Sequence, residues 1–131
     1  MINKMPLKYC LPIINRDKNN IIKTIRLNRT GYAFFEIWLD YISGLDAAFI
    51  EQLEKLATGR LIFLFRRQNL EPIKINLKKR LGIISQLRNS PSFIDLDISS
   101  QKKELDYVKT HGLEIKTIIS YHNYQTTPTD A

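Results

Sequence analysis

A single cysteine, Cys10, leaves this 131-residue chain without an internal disulfide framework. Glycine and proline, five of each, are too scarce for a collagen-like or disordered chain. No apolar run approaches the ~18 residues of a membrane span. The longest, Leu61 to Phe65, has the length of a strand. The N-terminal segment alternates lysine with short apolar stretches and has neither an h-region nor a small-residue cleavage site. No signal peptide is therefore expected, and the cytoplasm is the expected compartment. There is no G-x-G-x-x-G and no Walker loop, and His111 and His122 have no cysteines at zinc spacing, so neither a cofactor nor a metal is expected. Asp95 and Asp97 can in principle share a divalent cation, but such a pair more often serves hydrogen bonds.

The composition that remains is globular, 44% hydrophobic and 25% charged, and the length suits a single domain over residues 1–131. The formal net charge of +7 favours anionic partners: nucleic acid, acidic membranes or small carboxylates. The densest basic stretch is KINLKKR at 74–80. Its Ile75 and Leu77, continued by Leu81 and Ile84, fall near helical spacing, so its lysines form the wet face of an amphipathic helix. It lacks the interleaved aromatics of a single-strand-binding surface, so nucleic acid is not the expected partner, and without an apolar run of span length no membrane is expected either.

Apolar runs alternate between strand and helix periods. Strands are expected near 8–14, 32–39, 60–66, 92–98 and 115–121. Asp17 caps a helix through Arg29, and a second runs from about Asp46 to Leu56. A third follows over 75–87, and Ser99 or Ser100 caps a fourth reaching Thr110. Cys10 is expected to be a small core residue, and the polar tail 125–131 to fray. Strict β/α alternation with short loops predicts a parallel sheet covered by helices. Two architectures satisfy it, an open doubly wound sheet or part of a (β/α)8 barrel, which needs roughly 200–250 residues when complete.

The strand ends favour the barrel. Period-2 alternation places Glu36, Trp38 and Asp40 on one face of the second strand, and Arg66 with Ile62 and Leu64 on the third. It likewise groups Asp95 with Asp97 on the fourth and Ser120 with His122 on the fifth. Four successive strands thus carry polar groups at their C-terminal ends, where barrel enzymes keep their active sites. The expected fold is α/β, a partial (β/α)8 TIM barrel of about five parallel strands and four helices. Its edges at 8–14 and 115–121 lack neighbours, and the inner apolar residues Ile62, Leu64 and Ile118 lack a cover. A homo-oligomer or a complementary barrel fragment is therefore an expected partner.

FFEIWLDY at 34–41, LIFLFR at 61–66, FIDLDI at 93–98 and TIISYHNY at 117–124, with KYCLPII at 8–14, resemble the first five strands of type I 3-dehydroquinate dehydratase. That family is a (β/α)8-barrel hydro-lyase of the shikimate pathway. The resemblance implies a lysine that forms a Schiff base with 3-dehydroquinate, and a histidine that serves as general acid and base. Carried over by motif, His122 is that histidine, and Asp97 stands where the family has an orienting glutamate one methylene longer. Glu36 and Arg66 match groups that contact substrate. Trp38 departs from the family's E-x-R-x-D pattern, putting an indole where a planar cation belongs. The resemblance places the Schiff-base lysine on a sixth strand beyond Ala131, so none is expected in this chain, which is expected to be inactive alone. The resemblance makes 3-dehydroquinate or a similar small anion the expected ligand; the alternatives are a degenerate remnant that binds small anions weakly and, on charge alone, a basic nucleic-acid-binding domain.

Overall fold

The computed structural model describes residues 8–122. Its elements alternate as expected: β1 (Cys10–Ile13), α1 (Lys18–Leu27), β2 (Phe34–Trp38), α2 (Ala47–Leu56), β3 (Leu61–Leu64), α3 (Leu77–Gln86), β4 (Phe93–Asp97), α4 (Lys102–Thr110) and β5 (Lys116–Ser120). All four strand pairings are parallel, and the sheet runs in chain order, β1-β2-β3-β4-β5. A doubly wound sheet reverses its strand order at a switch point so that helices lie on both faces. No reversal occurs here, and the sheet follows the order of a barrel wall. The polar tail 125–131 lies outside the described residues.

Burial shows which face the helices cover. Phe35, Ile37, Phe63, Phe65, Ile94 and Leu96 alternate along β2 to β4 and are buried against the helical layer with Ile21, Ile25, Phe49, Ile50, Leu53 and Ile84. Burying one such side chain contributes about 1.5–3 kcal/mol, so this outer layer supplies most of the fold's cohesion. The opposite face carries Phe34, Ile62, Phe93 and Ile118, all only half-buried, with Phe34 and Phe93 in edge-to-face contact at 6.0 Å. Leu64 differs from expectation. It is on this inner face but fully buried.

Asp17 caps α1 as expected, whereas the cap expected for α4 does not form. Asp17, Asp46 and Asn76 each accept a hydrogen bond from the backbone N–H three residues on, fixing the starts of α1, α2 and α3. Neither Ser99 nor Ser100 caps α4. Its N-cap is Gln101, which makes no side-chain cap bond, because the Asp97 carboxylate draws both serines into its own turn. Cys10 also departs from expectation. It is exposed: the register sets it beside Phe34 on the inner face, which no described helix covers. No helix among the described residues is long and apolar enough to cross a membrane.

Candidate active site

The inner face collects its polar groups where the strands end. Register pairs Asp97 of β4 with Ser120 of β5, so His122, two residues on, emerges beside the end of β4. Its Nδ1 lies 2.8 Å from Asp97 Oδ2. The shorter side chain therefore reaches the imidazole despite lacking the glutamate's extra methylene. The other Asp97 oxygen accepts from the Ser99 N–H (2.8 Å), the Ser99 hydroxyl (2.5 Å) and the Ser100 N–H (3.1 Å). Gln101 Oε1 accepts from the Asp97 N–H at 2.8 Å, pinning the strand end itself.

Asp97 is 4% exposed. Burial opposes its ionisation, but the hydrogen bonds from Ser99, His122 and the Ser100 N–H outweigh burial and hold the carboxyl well below the usual carboxylate range. An ionised Asp97 can only accept, so Nδ1 of His122 carries the proton and, when the ring is neutral, Nε2 carries the lone pair.

This sets a pH dependence. Asp97's folded pKa is depressed below its unfolded value, so its stabilising contribution is complete above the unfolded pKa and is lost as pH falls through the folded one. Stability should therefore decline on acidification below about pH 5, and Asp97→Asn should flatten that limb while lowering stability near neutrality. Urea midpoints measured from pH 3 to pH 7 check both; an acid limb identical in the variant would contradict the assignment.

Arg66 does not pair with Glu36. Its Nη2 donates to Ser120 Oγ (3.1 Å) and approaches Asp95 Oδ1 (3.3 Å), while the Ser120 hydroxyl donates to the same Asp95 oxygen (2.6 Å). Asp95 and Ser120 thus hold the guanidinium across three strands. Glu36 instead accepts from the Trp38 indole N–H at 2.7 Å. The indole that replaces the family's arginine lies under Arg66, 6.0 Å from its ring centroid. The inner mouth therefore brings together Glu36, Arg66, Asp97 and His122, with Asp95, Ser120 and Trp38 between them.

Asp40 does not join them. The chain leaves β2 at Trp38 and turns through a short 3-10 segment, Leu39–Tyr41, which breaks the two-residue alternation and carries Asp40 off the inner face. There its side chain is fully buried, accepting from the N–H groups of Lys74 (3.0 Å) and Ile75 (2.8 Å) and from Arg67 Nη1 (3.0 Å). Arg67 also donates to Glu71 and stacks 4.2 Å over the Tyr41 ring; its pKa is raised, chiefly by the Asp40 hydrogen bond. Sequence reasoning missed this pairing. The only signal was an acid just past an apolar strand.

Among the described residues no three His, Cys, Asp or Glu side chains gather as a metal site. The described lysine on β5, Lys116, is on the inner face at the opposite, N-terminal end of the strand, with Nζ 5.4 Å from the Phe93 ring centroid. It cannot serve as an amine beside His122.

Known proteins resemble this chain over most of its length. The chain is 24% identical over 128 aligned positions to the 3-dehydroquinate dehydratase of Methanococcus maripaludis, covering 91% of this chain and 55% of that protein. It is 27% identical over 117 positions to that of Thermococcus onnurineus, covering 83% and 51%. Among solved structures, the type I enzyme of Clostridium difficile, crystallised with covalently modified comenic acid, superposes with a TM-score of 0.72 at 25% identity, covering 92% of this chain and 52% of that one. The Aquifex aeolicus VF5 enzyme gives 0.68 at 21%, covering 94% and 56%, and so supports the fold. The chain spans about half the length of the relatives it matches. The family model described as type I 3-dehydroquinase matches residues 9–131, nearly the whole sequence, and with the barrel-ordered sheet and its inner cluster this places the chain in the type I 3-dehydroquinase family.

Proposed function

We propose that this chain supplies the acid–base half of a 3-dehydroquinate dehydratase site, with the Schiff-base amine coming from outside the described residues. The observation that carries this is the Asp97–His122 pair, ordered at the C-terminal mouth of a barrel wall. An amine condensed with the substrate ketone would make an imine, which acidifies the adjacent carbon by taking up its electron pair. Nε2 of His122 removes that proton, and the resulting imidazolium, stabilised by Asp97, returns it to the departing hydroxyl as water leaves. Glu36 Oε1 is engaged by Trp38, and its second oxygen accepts no bond among the described residues, which suits a substrate hydroxyl. Arg66, braced by Asp95 and Ser120, offers its remaining donors to an anionic or hydroxyl group.

The reaction needs the rest of a barrel. Among the described residues β1 and β5 each have one sheet neighbour, and Ile98, Ile119 and Tyr121 are more than half exposed near the β4–β5 ends. Such an edge takes up further strands, from a complementary barrel segment or a second copy of the chain. A biosynthetic role of this kind fits the cytoplasm. The test is to co-express the chain with the C-terminal half of the Methanococcus maripaludis enzyme and follow dehydration of 3-dehydroquinate. Dehydration by the pair and not by either half is expected. A stable assembled barrel without turnover, even with Trp38→Arg, would favour the degenerate remnant.

A further inference from the structure

Outside the inner mouth, a pocket of about 530 Å³ opens between the three loops that follow β1, β2 and β3. It shares no residue with the Glu36–Arg66–Asp97–His122 cluster. Four of its lining residues are cations, Arg16, Arg67, Lys74 and Lys79, and only one, Asp40, is an acid. The Asp40 oxygens are already occupied by two backbone N–H groups and Arg67. Arg67 is neutralised there and by Glu71. Arg16 and Lys74 have no acidic partner among the described residues, and Lys79 Nζ donates only to the Leu45 carbonyl at 3.0 Å.

The walls are fixed rather than fortuitous. The Ser43 N–H donates to the Arg16 carbonyl (2.9 Å), joining the first two loops. Asp40 holds Lys74 and Ile75, and the Tyr41 hydroxyl accepts from the Gln68 N–H (2.8 Å), joining the second and third. Asn76, the N-cap of α3, also lines the pocket. Three cations in excess thus line one pocket, and like charges grouped in this way favour an anion among them.

We propose that this rim pocket binds a phosphate-type dianion, the phosphate group of a small monoester. The volume exceeds that of a bare phosphate and leaves room for a short polar body.

Calorimetric titration of the chain with inorganic phosphate and with glycerol 3-phosphate, at constant ionic strength in chloride, tests this. Saturable one-site binding is expected, tighter for the monoester. The exposed double variant Arg16→Ala/Lys74→Ala should weaken it at least tenfold, while the control Lys102→Ala/Lys103→Ala on α4 leaves it unchanged. Phosphorus NMR line broadening of the ligand should follow the same order. A response that does not saturate or that nitrate reproduces, an adventitious ion only, would overturn the proposal, as would unweakened binding by the double variant. Equal affinity for both ligands would overturn the monoester. Because neither titration involves turnover, these outcomes are independent of dehydratase activity.

Discussion

Replacing His122 by alanine in the assembled barrel should lower dehydration by about 10²–10⁴-fold, the range general acid–base catalysis by one positioned group supplies. Imine formation should survive, because in the proposed division the amine comes from elsewhere and His122 moves only the carbon-bound proton. The two steps therefore separate in one variant: borohydride still traps the substrate, but product fails to accumulate. Asp97→Asn should fall between wild type and His122→Ala. An amide can still accept from Ser99 and Ser100 through its oxygen, yet it no longer offers a charged acceptor to Nδ1 and favours the wrong tautomer. Its pH–rate profile should shift, which a merely structural role for Asp97 would not produce. If His122→Ala lost trapping and turnover in equal measure, the ring would be placing the amine rather than moving the proton.

The second large effect is on stability and lies outside the inner cluster. Asp40→Ala should cost about 3–5 kcal/mol, as truncating a fully buried, multiply bonded carboxylate does. It leaves the Lys74 and Ile75 N–H groups without an acceptor and releases the loop that leads into α3. For a chain of this size the melting temperature should fall by roughly 10 °C or more. Urea unfolding gives the direct measure: a lower midpoint at unchanged slope. A loss under about 1 kcal/mol would mean that the loop finds other partners as readily. Asp40→Asn should be milder, since an amide oxygen in place of Oδ1 can still accept from both N–H groups.

How much of this was legible in the sequence follows from the range of each interaction. Strand faces were readable because period-2 alternation is local. Phe35 and Ile37 lie under the helices, and Glu36 and Trp38 lie on the inner face. The same rule failed for Asp40 two residues later, because the chain had already turned. Alternation predicts side only while the strand lasts. The cap of α4 failed for a related reason. Ser99 and Ser100 are good caps by residue type, but an adjacent buried carboxylate competes for the same donors. Cys10 looked like core because its neighbours are apolar, whereas its exposure depends on which face of the sheet the helices cover, a tertiary property. The juxtaposition of Asp97 with His122, 25 residues apart, followed from the family frame, but whether the shorter acid reached the ring required the register of β4 and β5. Arg66's partners Asp95 and Ser120 and the Trp38–Glu36 bond were not foreseen, since cross-strand side-chain pairing on a concave face leaves no periodic trace.

The most direct test of a split between acid–base groups here and an amine elsewhere is borohydride trapping read by intact mass. The chain alone, incubated with 3-dehydroquinate and reduced, should keep its mass unchanged. Co-assembled with the C-terminal half of the Methanococcus maripaludis enzyme, it should again be unmodified, while the partner half gains one reduced substrate on a lysine. A substrate adduct on any lysine of this chain, or efficient dehydration by the chain unaided, would contradict that division.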